Sequence, residues 1–246
     1  MNLARRILMA RRMCDAPDCD PYWDDVVLLL KGDGPDGSTN IIDSSINNHP
    51  VTVHGNAQIS TAQSAYPDGS SMYFDGDGAR LLSPDSLIMR FSSKWFTVEL
   101  SLFLLAVPVD WSTLVSKWNS PTRQEVWVAV GTDLSVTFGF GPYSISALSE
   151  PIVRSAPGVI GLGEWAHIAA IRNDNTFLLT VNGVIVGAKT VALGVAGGDS
   201  PLIIGSYVDS SMQCHGYIDE LRITKGVARY TTSFTPPTEP FPTTGP

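Results

Sequence analysis

The sequence predicts an all-β chain, a two-sheet antiparallel β-sandwich with a short N-terminal arm. Three observations predict it. Short apolar runs recur through the 246 residues, separated by Gly, Pro, Asn, Asp and Ser clusters. The chain carries 22 glycines and 17 prolines, the turn-forming residues such a fold consumes. No segment combines a helical apolar stripe with convincing caps after residue 22.

Residues 1–22 differ from the rest. Arg5, Arg6, Arg11 and Arg12 interrupt the apolar positions of "MNLARRILMARRM", so the segment lacks the uninterrupted apolar stretch of a signal peptide. A short helix ended by "CDAPDCDP" is expected, and the whole reads as an arm. From there to residue 246 a single domain is expected. "VVLLLK" (26–31) is apolar on both faces, as a central buried strand would be. Strands follow at 51–53, 57–60, 71–75 and 79–83, then a long one at 95–107. Others are expected at 112–118, 125–130, 134–140 and 143–148. "WAHIAAIRN" (165–173), "TFLLTV" (176–181) and "VIVGAKT" (184–190) form the clearest meander. Asn182-Gly183 joins the last two as a two-residue turn in which both residues need positive φ. Strands at 201–206 and from Gly216 complete the set, and the proline-rich "SFTPPTEPFPTTGP" should run extended over the surface.

The closing strand poses a question. In "GYIDELRIT", strict alternation places Tyr217, Asp219, Leu221 and Ile223 on one face and Ile218, Glu220 and Arg222 on the other. The first face is the more apolar, so Asp219 would be a carboxylate in a core. An unpaired charge there costs several kcal/mol. Asp219 is therefore expected to be satisfied, by hydrogen bonds or by a metal, as a buried anchor joining the last strand to an early loop.

Several blocks resemble the laminin-G-like, concanavalin-A-like jelly-roll family, in the form found in tailed-phage and prophage virion proteins. They are "LLLKGDGPDGSTNIIDSSINNHPVTVHGNAQIS" (28–60), "SMYFDGDGARLL" (71–82), "EWAHIAAIRNDNTFLLTVNGVIVG" (164–187) and "GYIDELRITKGVARYTTSFTPPTEPFP" (216–242). The resemblance implies a glycan- or protein-binding domain displayed on a virion as a tail fibre, tail tip or capsid decoration. The implied partners are host-surface glycan and, through the arm, other virion proteins, with a homo-oligomer left open. A purely structural decoration protein is the alternative.

Net charge is −8, which argues against a nucleic-acid partner. The longest apolar run, "LSLFLLAVPV" (100–109), is too short to span a membrane. No enzyme is expected. Relatives of this fold that hydrolyse glycosides line one strand with alternating carboxylates, and none is seen here; Asp219 and Glu220 are adjacent and "EVWVAV" (125–130) has a single acid. His167 reads as a core histidine.

Acidic, glycine- and asparagine-rich segments at 31–37, 43–48 and 74–79 are of the kind that supply oxygen ligands. Asp33, Asp43 and Asp219 are the candidate calcium ligands; turn chemistry is the competing explanation. For a glycan, an aromatic platform beside turns is expected, and Trp111, Trp118, Tyr143 and Tyr207 are the candidates. Trp95, Trp127 and Trp165 are expected to be buried. Cys14 and Cys19 are expected to be unpaired thiols, a disulfide being the alternative.

Overall fold

The computed structural model describes residues 19–92, 94–118, 124–141, 153–192, 197–208 and 210–246. The arginine-rich segment and the strand expected at 143–148, with Tyr143, lie outside the described residues. So does Cys14. Cys19 is disulfide-bonded, against the expectation of free thiols, and Cys214 is a buried free thiol.

Among the described residues, fifteen strands form two antiparallel sheets. They are β1 (Val26–Leu30), β2 (Thr52–His54), β3 (Gln58–Ser60), β4 (Ser71–Asp75), β5 (Arg80–Ser83), β6 (Trp95–Leu104), β7 (Ser112–Trp118) and β8 (Gln124–Val130). The second half contributes β9 (Val136–Phe140), β10 (Val153–Arg154), β11 (Trp165–Asn173), β12 (Thr176–Val181), β13 (Val184–Thr190), β14 (Leu202–Ile204) and β15 (His215–Lys225). One sheet runs β13-β12-β11-β6-β15-β4-β3, with β1 added beside β15; the other runs β10-β9-β8-β7-β14-β5-β2. This is a jelly-roll β-sandwich, as expected. Among the described residues the only helices are single 3₁₀ turns at Trp23–Asp25 and Leu87–Met89. Among the described residues, no helix is long and apolar enough to cross a membrane.

The core lies between the sheets. Val98, Leu100, Leu102 and Leu104 of β6 meet Val126, Val128 and Val130 of β8 and Phe138 and Phe140 of β9. Period-two alternation supplies these residues, every second side chain entering the same layer. The meander follows the sequence: Asn182 and Gly183 have φ of 49° and 74°. Gly183 has a second task, because a Cβ there would collide with the carbonyl of Phe234 in the tail.

The sequence reading of β15 is corrected at its middle. The register to β6 slips between Asp219 and Arg222, and Glu220 takes the left-handed conformation with φ of 50°. This is a β-bulge, which inserts an extra residue and reverses the alternation beyond it. Ile218, Leu221 and Ile223 therefore share the core. Tyr217 and Arg222 face outward, where Tyr217 contacts Tyr73 and Phe103 and Arg222 lies against Phe241. The bulge also divides the strand's free edge, pairing residues 215–218 with β4 and residues 221–224 with β1.

The outer face of the larger sheet is partly roofed by the tail. Phe241 packs with Val26 and Leu29, which explains why β1 is apolar on both faces. Phe234 stacks on Tyr230 at 3.6 Å and abuts His167. Beneath lies a buried ion network. Glu99 bonds Arg222 Nη2 at 2.9 Å and accepts from the Tyr230 hydroxyl at 2.8 Å. Asp20 bonds Arg222 at 2.9 Å and Arg229 at 2.7 Å. Burial pushes the Glu99 carboxyl up, but Arg222, His167 and Arg229 outweigh it and hold it below the usual carboxylate range. Residues 20–22, expected in the arm, are thus built into the domain.

Candidate functional site

The three aspartates chosen as calcium ligands occupy different surroundings. Asp43 is buried and accepts from the N–H groups of Leu29, Ser45 and His49 at 2.9, 2.9 and 2.7 Å, and from the Ser45 hydroxyl at 2.9 Å. It pins the loop after β1 back onto that strand. Asp219 is buried and accepts from Ala65 N–H at 2.9 Å and the Ser64 hydroxyl at 3.4 Å. The expectation that it joins the last strand to an early loop holds. Asp33 is exposed and pairs with Lys31 at 3.2 Å. Among the described residues, no three His, Cys, Asp or Glu side chains are grouped to hold a metal.

Burial pushes Asp219 up to about 6, against the hydrogen bonds from Ala65 and Glu220 N–H, with Asp33 adding repulsion. Glu220, pushed up to about 8 by burial, accepts Phe241 N–H at 2.8 Å and lies 3.8 Å from Lys31 Nζ. Each carboxylate of this pair clasps a different covering segment. His167 is buried, its Nε2 3.4 Å from Glu99. Glu125, the single acid of β8, is buried against Lys117 at 2.8 Å and Gly198 N–H at 2.8 Å.

The aromatic candidates fare differently. Trp111, Trp118 and Tyr207 converge around Trp127 on the outer face of the smaller sheet. Trp111 meets Trp127 edge-on at 5.2 Å, and Trp118 lies 6.5 Å from it. The Trp127 indole donates to the Thr113 hydroxyl at 3.0 Å. Gly139 of the adjacent strand makes room, since a Cβ there would approach Trp127 and Trp118. Trp118 is only 5% exposed and Trp127 1%, so both act as foundation. Trp111 and Tyr207 are half-buried and reach the surface. The guanidinium of Arg154 sits 5.0 Å over the Trp111 ring, held there by two 3.0 Å bonds to Asp133 and a 2.8 Å bond to Ser135. Of the tryptophans expected to be buried, Trp127 is, Trp165 is half-buried and Trp95 is 44% exposed, since it opens β6 at a sheet end.

Beside Trp111 opens a cavity of about 400 Å³ at one end of the sandwich, within the usual size of small-ligand sites. Three segments meet there: the β4–β5 turn with Gly76 and Asp77, the β6–β7 loop from Ala106 to Trp111, and the β14–β15 loop with Ser211, Met212 and Gln213. The last loop is fixed by Thr113 N–H to Met212 O at 2.7 Å and Tyr207 N–H to Ser211 O at 2.9 Å. Ser210 and Met212 take φ of 66° and 51°, a strained conformation for non-glycine residues that concentrates at ligand sites. The Gln213 amide ties this loop to the β4–β5 turn, accepting from Gly78 N–H and donating to Ser210 O. Asp77, Asp110 and His215 line the cavity and are exposed.

Sequence reasoning found Trp111 and Tyr207 but missed Asp77, Asp110, Met212 and Arg154. Asp77 lies within the "FDGDGA" segment, flagged for another purpose. Arg154 belongs to a two-residue strand without periodicity to reveal it.

Residues 74–229, more than half of the chain, match the family described as the concanavalin A-like lectin/glucanases superfamily, Laminin_G_3. The chain belongs to that superfamily. A comparison with curated proteins finds no match to this chain. Solved structures show the shared fold. The binding domain of Paraclostridial Mosquitocidal Protein 1 superposes with a TM-score of 0.59 at 16% identity, covering 85% of this chain and 50% of that one. The botulinum neurotoxin serotype C1 binding domain gives 0.62 at 11%, covering 82% and 49%. Domain 4 of AbnA, a GH43 extracellular arabinanase from Geobacillus stearothermophilus solved with arabinotriose, gives 0.59 at 21%, covering 83% and 94%. The chain thus spans about half the length of the toxin binding domains and nearly all of the arabinanase domain.

Proposed function

We propose that this protein is a non-enzymatic lectin-like binder of host-surface glycan, displayed on the virion of a tailed phage as a tail-fibre, tail-tip or capsid-decoration protein. The observation that carries glycan binding is Trp111: a half-buried indole on a buried aromatic foundation, at the rim of a cavity lined by polar groups that include the exposed Asp77 and Asp110. Aromatic faces stack on sugar C–H groups while polar neighbours fix the hydroxyls, and both chemistries are present here. The arabinanase domain, solved with an arabinose oligosaccharide, supports the reading by analogy of fold. The virion setting rests on the sequence blocks that resemble phage virion proteins, with the arginine-rich N-terminal arm as the docking segment.

A non-catalytic role is supported by the use of the carboxylates. Asp43, Asp219, Glu220 and Glu125 all accept main-chain N–H groups, so each of these four is engaged in holding the fold. One observation favours the structural alternative: Val107 and Val109, on the cavity's edge, are 48% and 101% exposed, as a protein-contact surface would be.

The test is binding of the full chain to a glycan array and to host envelope fractions, with Trp111→Ala alongside. Loss of binding in a folded variant supports recognition at this site. Absence of binding by the unaltered protein to every fraction would favour the structural role. Mass spectrometry of purified particles tests the virion setting.

A further inference from the structure

The charges around the Trp111 cavity select among glycans. We infer that the cavity takes an uncharged sugar presenting a pair of neighbouring hydroxyls and turns away sialylated, uronic or sulfated ones. The inference rests on the glycan-binding reading above and deepens it.

The cavity's ionised lining is acidic. Asp77 and Asp110 are both exposed carboxylates on its wall. Asp75 stands behind Asp77, accepting its N–H at 2.8 Å and the amide of Asn56 at 2.7 Å. Among the described residues, no Lys or Arg lines the cavity. The nearby cation, Arg154, lies over the Trp111 ring and is already matched by Asp133 through two bonds. Among the described residues, the titratable groups lining the cavity are therefore Asp77 on the β4–β5 turn, Asp110 on the β6–β7 loop and His215 at the start of β15. A carboxylate or sulfate on the ligand would meet like charge from two sides, and the protein's overall charge of −8 adds to that repulsion.

The same groups suit a neutral sugar. A free carboxylate accepts from two neighbouring hydroxyls at once, and such charge-assisted bonds are stronger than neutral ones. The side-chain amide of Gln213 is occupied by Gly78 of the β4–β5 turn and by Ser210 of its own loop, so the hydroxyl-binding work falls to the aspartates. The Trp111 ring, Met212 and Val107 offer apolar surface to the C–H side of the ring.

The experiment uses the full chain against matched sugars: arabinotriose, maltotriose and lactose as neutral probes, and trigalacturonate, 3′-sialyllactose and a sulfated lactose as anionic ones. Titration is followed by tryptophan fluorescence and calorimetry. Asp77→Asn and Asp110→Asn are made singly and together; both positions are exposed and fold integrity is checked by melting. The expected result is binding of a neutral probe, with its anionic counterpart at least about tenfold weaker, a 1.4 kcal/mol difference. The double variant should lose about tenfold on the neutral probe while the gap to the anionic one narrows. Preferred binding of an anionic probe would overturn the charge selection and leave glycan recognition standing. Failure of every probe, with no binding on the wider array, would overturn glycan recognition and this inference with it. Neutral binding indifferent to both substitutions would also overturn it.

Discussion

Asp219 accepts the backbone N–H of Ala65 at 2.9 Å across 154 residues of sequence, and its neighbour Glu220 accepts the N–H of Phe241 at 2.8 Å. The bulge at this point lets two adjacent carboxylates of one strand hold two different covers, an early loop and the C-terminal tail. Removing the acceptor at the first leaves a buried amide unmatched, which costs about 1–3 kcal/mol. Asp219→Ala should therefore lower Tm by several degrees in a calorimetric scan. Asp219→Asn keeps an oxygen for Ala65 and should cost much less. Equal losses in both variants, together with a Tm that falls on adding chelator, would instead mean that the charge itself holds a cation.

The bulge was the least legible feature of this strand. A left-handed Glu220 breaks the habit that glycine or asparagine marks such positions, so simple alternation put Tyr217 and Asp219 in the core. Where local chemistry alone decides, the sequence was sufficient: Asn182-Gly183 forms the expected turn, and the long apolar strands place their alternate residues in the core. The doubly apolar β1 was read correctly as buried, but its outer cover, Phe241, comes from a proline-rich tail whose path no periodicity reveals. The aromatic candidates show the same divide. Turn-adjacent Trp111 was legible as a candidate for the ligand face and is half-buried, whereas the burial of Trp118 depends on Trp127 and Gly139 in neighbouring strands.

The pH response of the second clasp follows from its sign. Glu220 is raised from 4.5 to about 8 by burial, so the folded state holds a proton there that the unfolded chain has released. Stability from this group is full below about 4.5, declines as pH rises toward 8 and is then lost. Glu220→Gln keeps the acceptor for Phe241 without the ionisation. It should raise Tm by several degrees at pH 8.5 and leave it nearly unchanged at pH 4.5. A variant that melts lower at pH 8.5 would show that Lys31 gains more from the charge than burial costs.

Glu99 should respond in the opposite direction. Arg222, His167 and Arg229 hold it below the ordinary range despite its burial, so its contribution is present above the unfolded pKa and fades as pH falls toward the folded one. Glu99→Gln leaves Arg222 and Arg229 sharing Asp20 alone, and breaking a buried pair costs about 3–5 kcal/mol. Urea denaturation at pH 7 should show a loss of that order. A loss under about 1 kcal/mol would mean that Asp20 suffices for both arginines.

The tail should prove part of the domain. Phe241 is 4% exposed, packs on Val26 and Leu29, and lies 3.6 Å from the Arg222 guanidinium. Phe241→Ala should cost about 3–5 kcal/mol. Truncation after Ser233 should cost more, since it uncovers Leu29 and the ion network together. Limited proteolysis checks this independently: the unaltered tail should resist cleavage until the domain unfolds. Early release of residues 234–246 with an unchanged Tm would refute the assignment.

Two aromatic surfaces can be told apart by mutation. The strip Tyr73–Tyr217–Phe103–Trp165 crosses four neighbouring strands on the outer face of the larger sheet, with ring centroids 5.1, 5.9 and 5.5 Å apart. Its rings meet at 45°, 79° and 57°, tilted against one another as cross-strand packing favours, so they present no continuous flat platform. Trp111 differs in bordering a cavity. Tyr217→Ala should therefore lower Tm by several degrees and leave glycan affinity unchanged, while Trp111→Ala should reduce affinity at least about tenfold with a smaller change in Tm. Trp118→Ala should act through stability, because its ring supports Trp127 from below the surface. Calorimetric titration and melting on the three variants separate the surfaces, and loss of binding in Tyr217→Ala with Trp111→Ala unaffected would move the site to the strip.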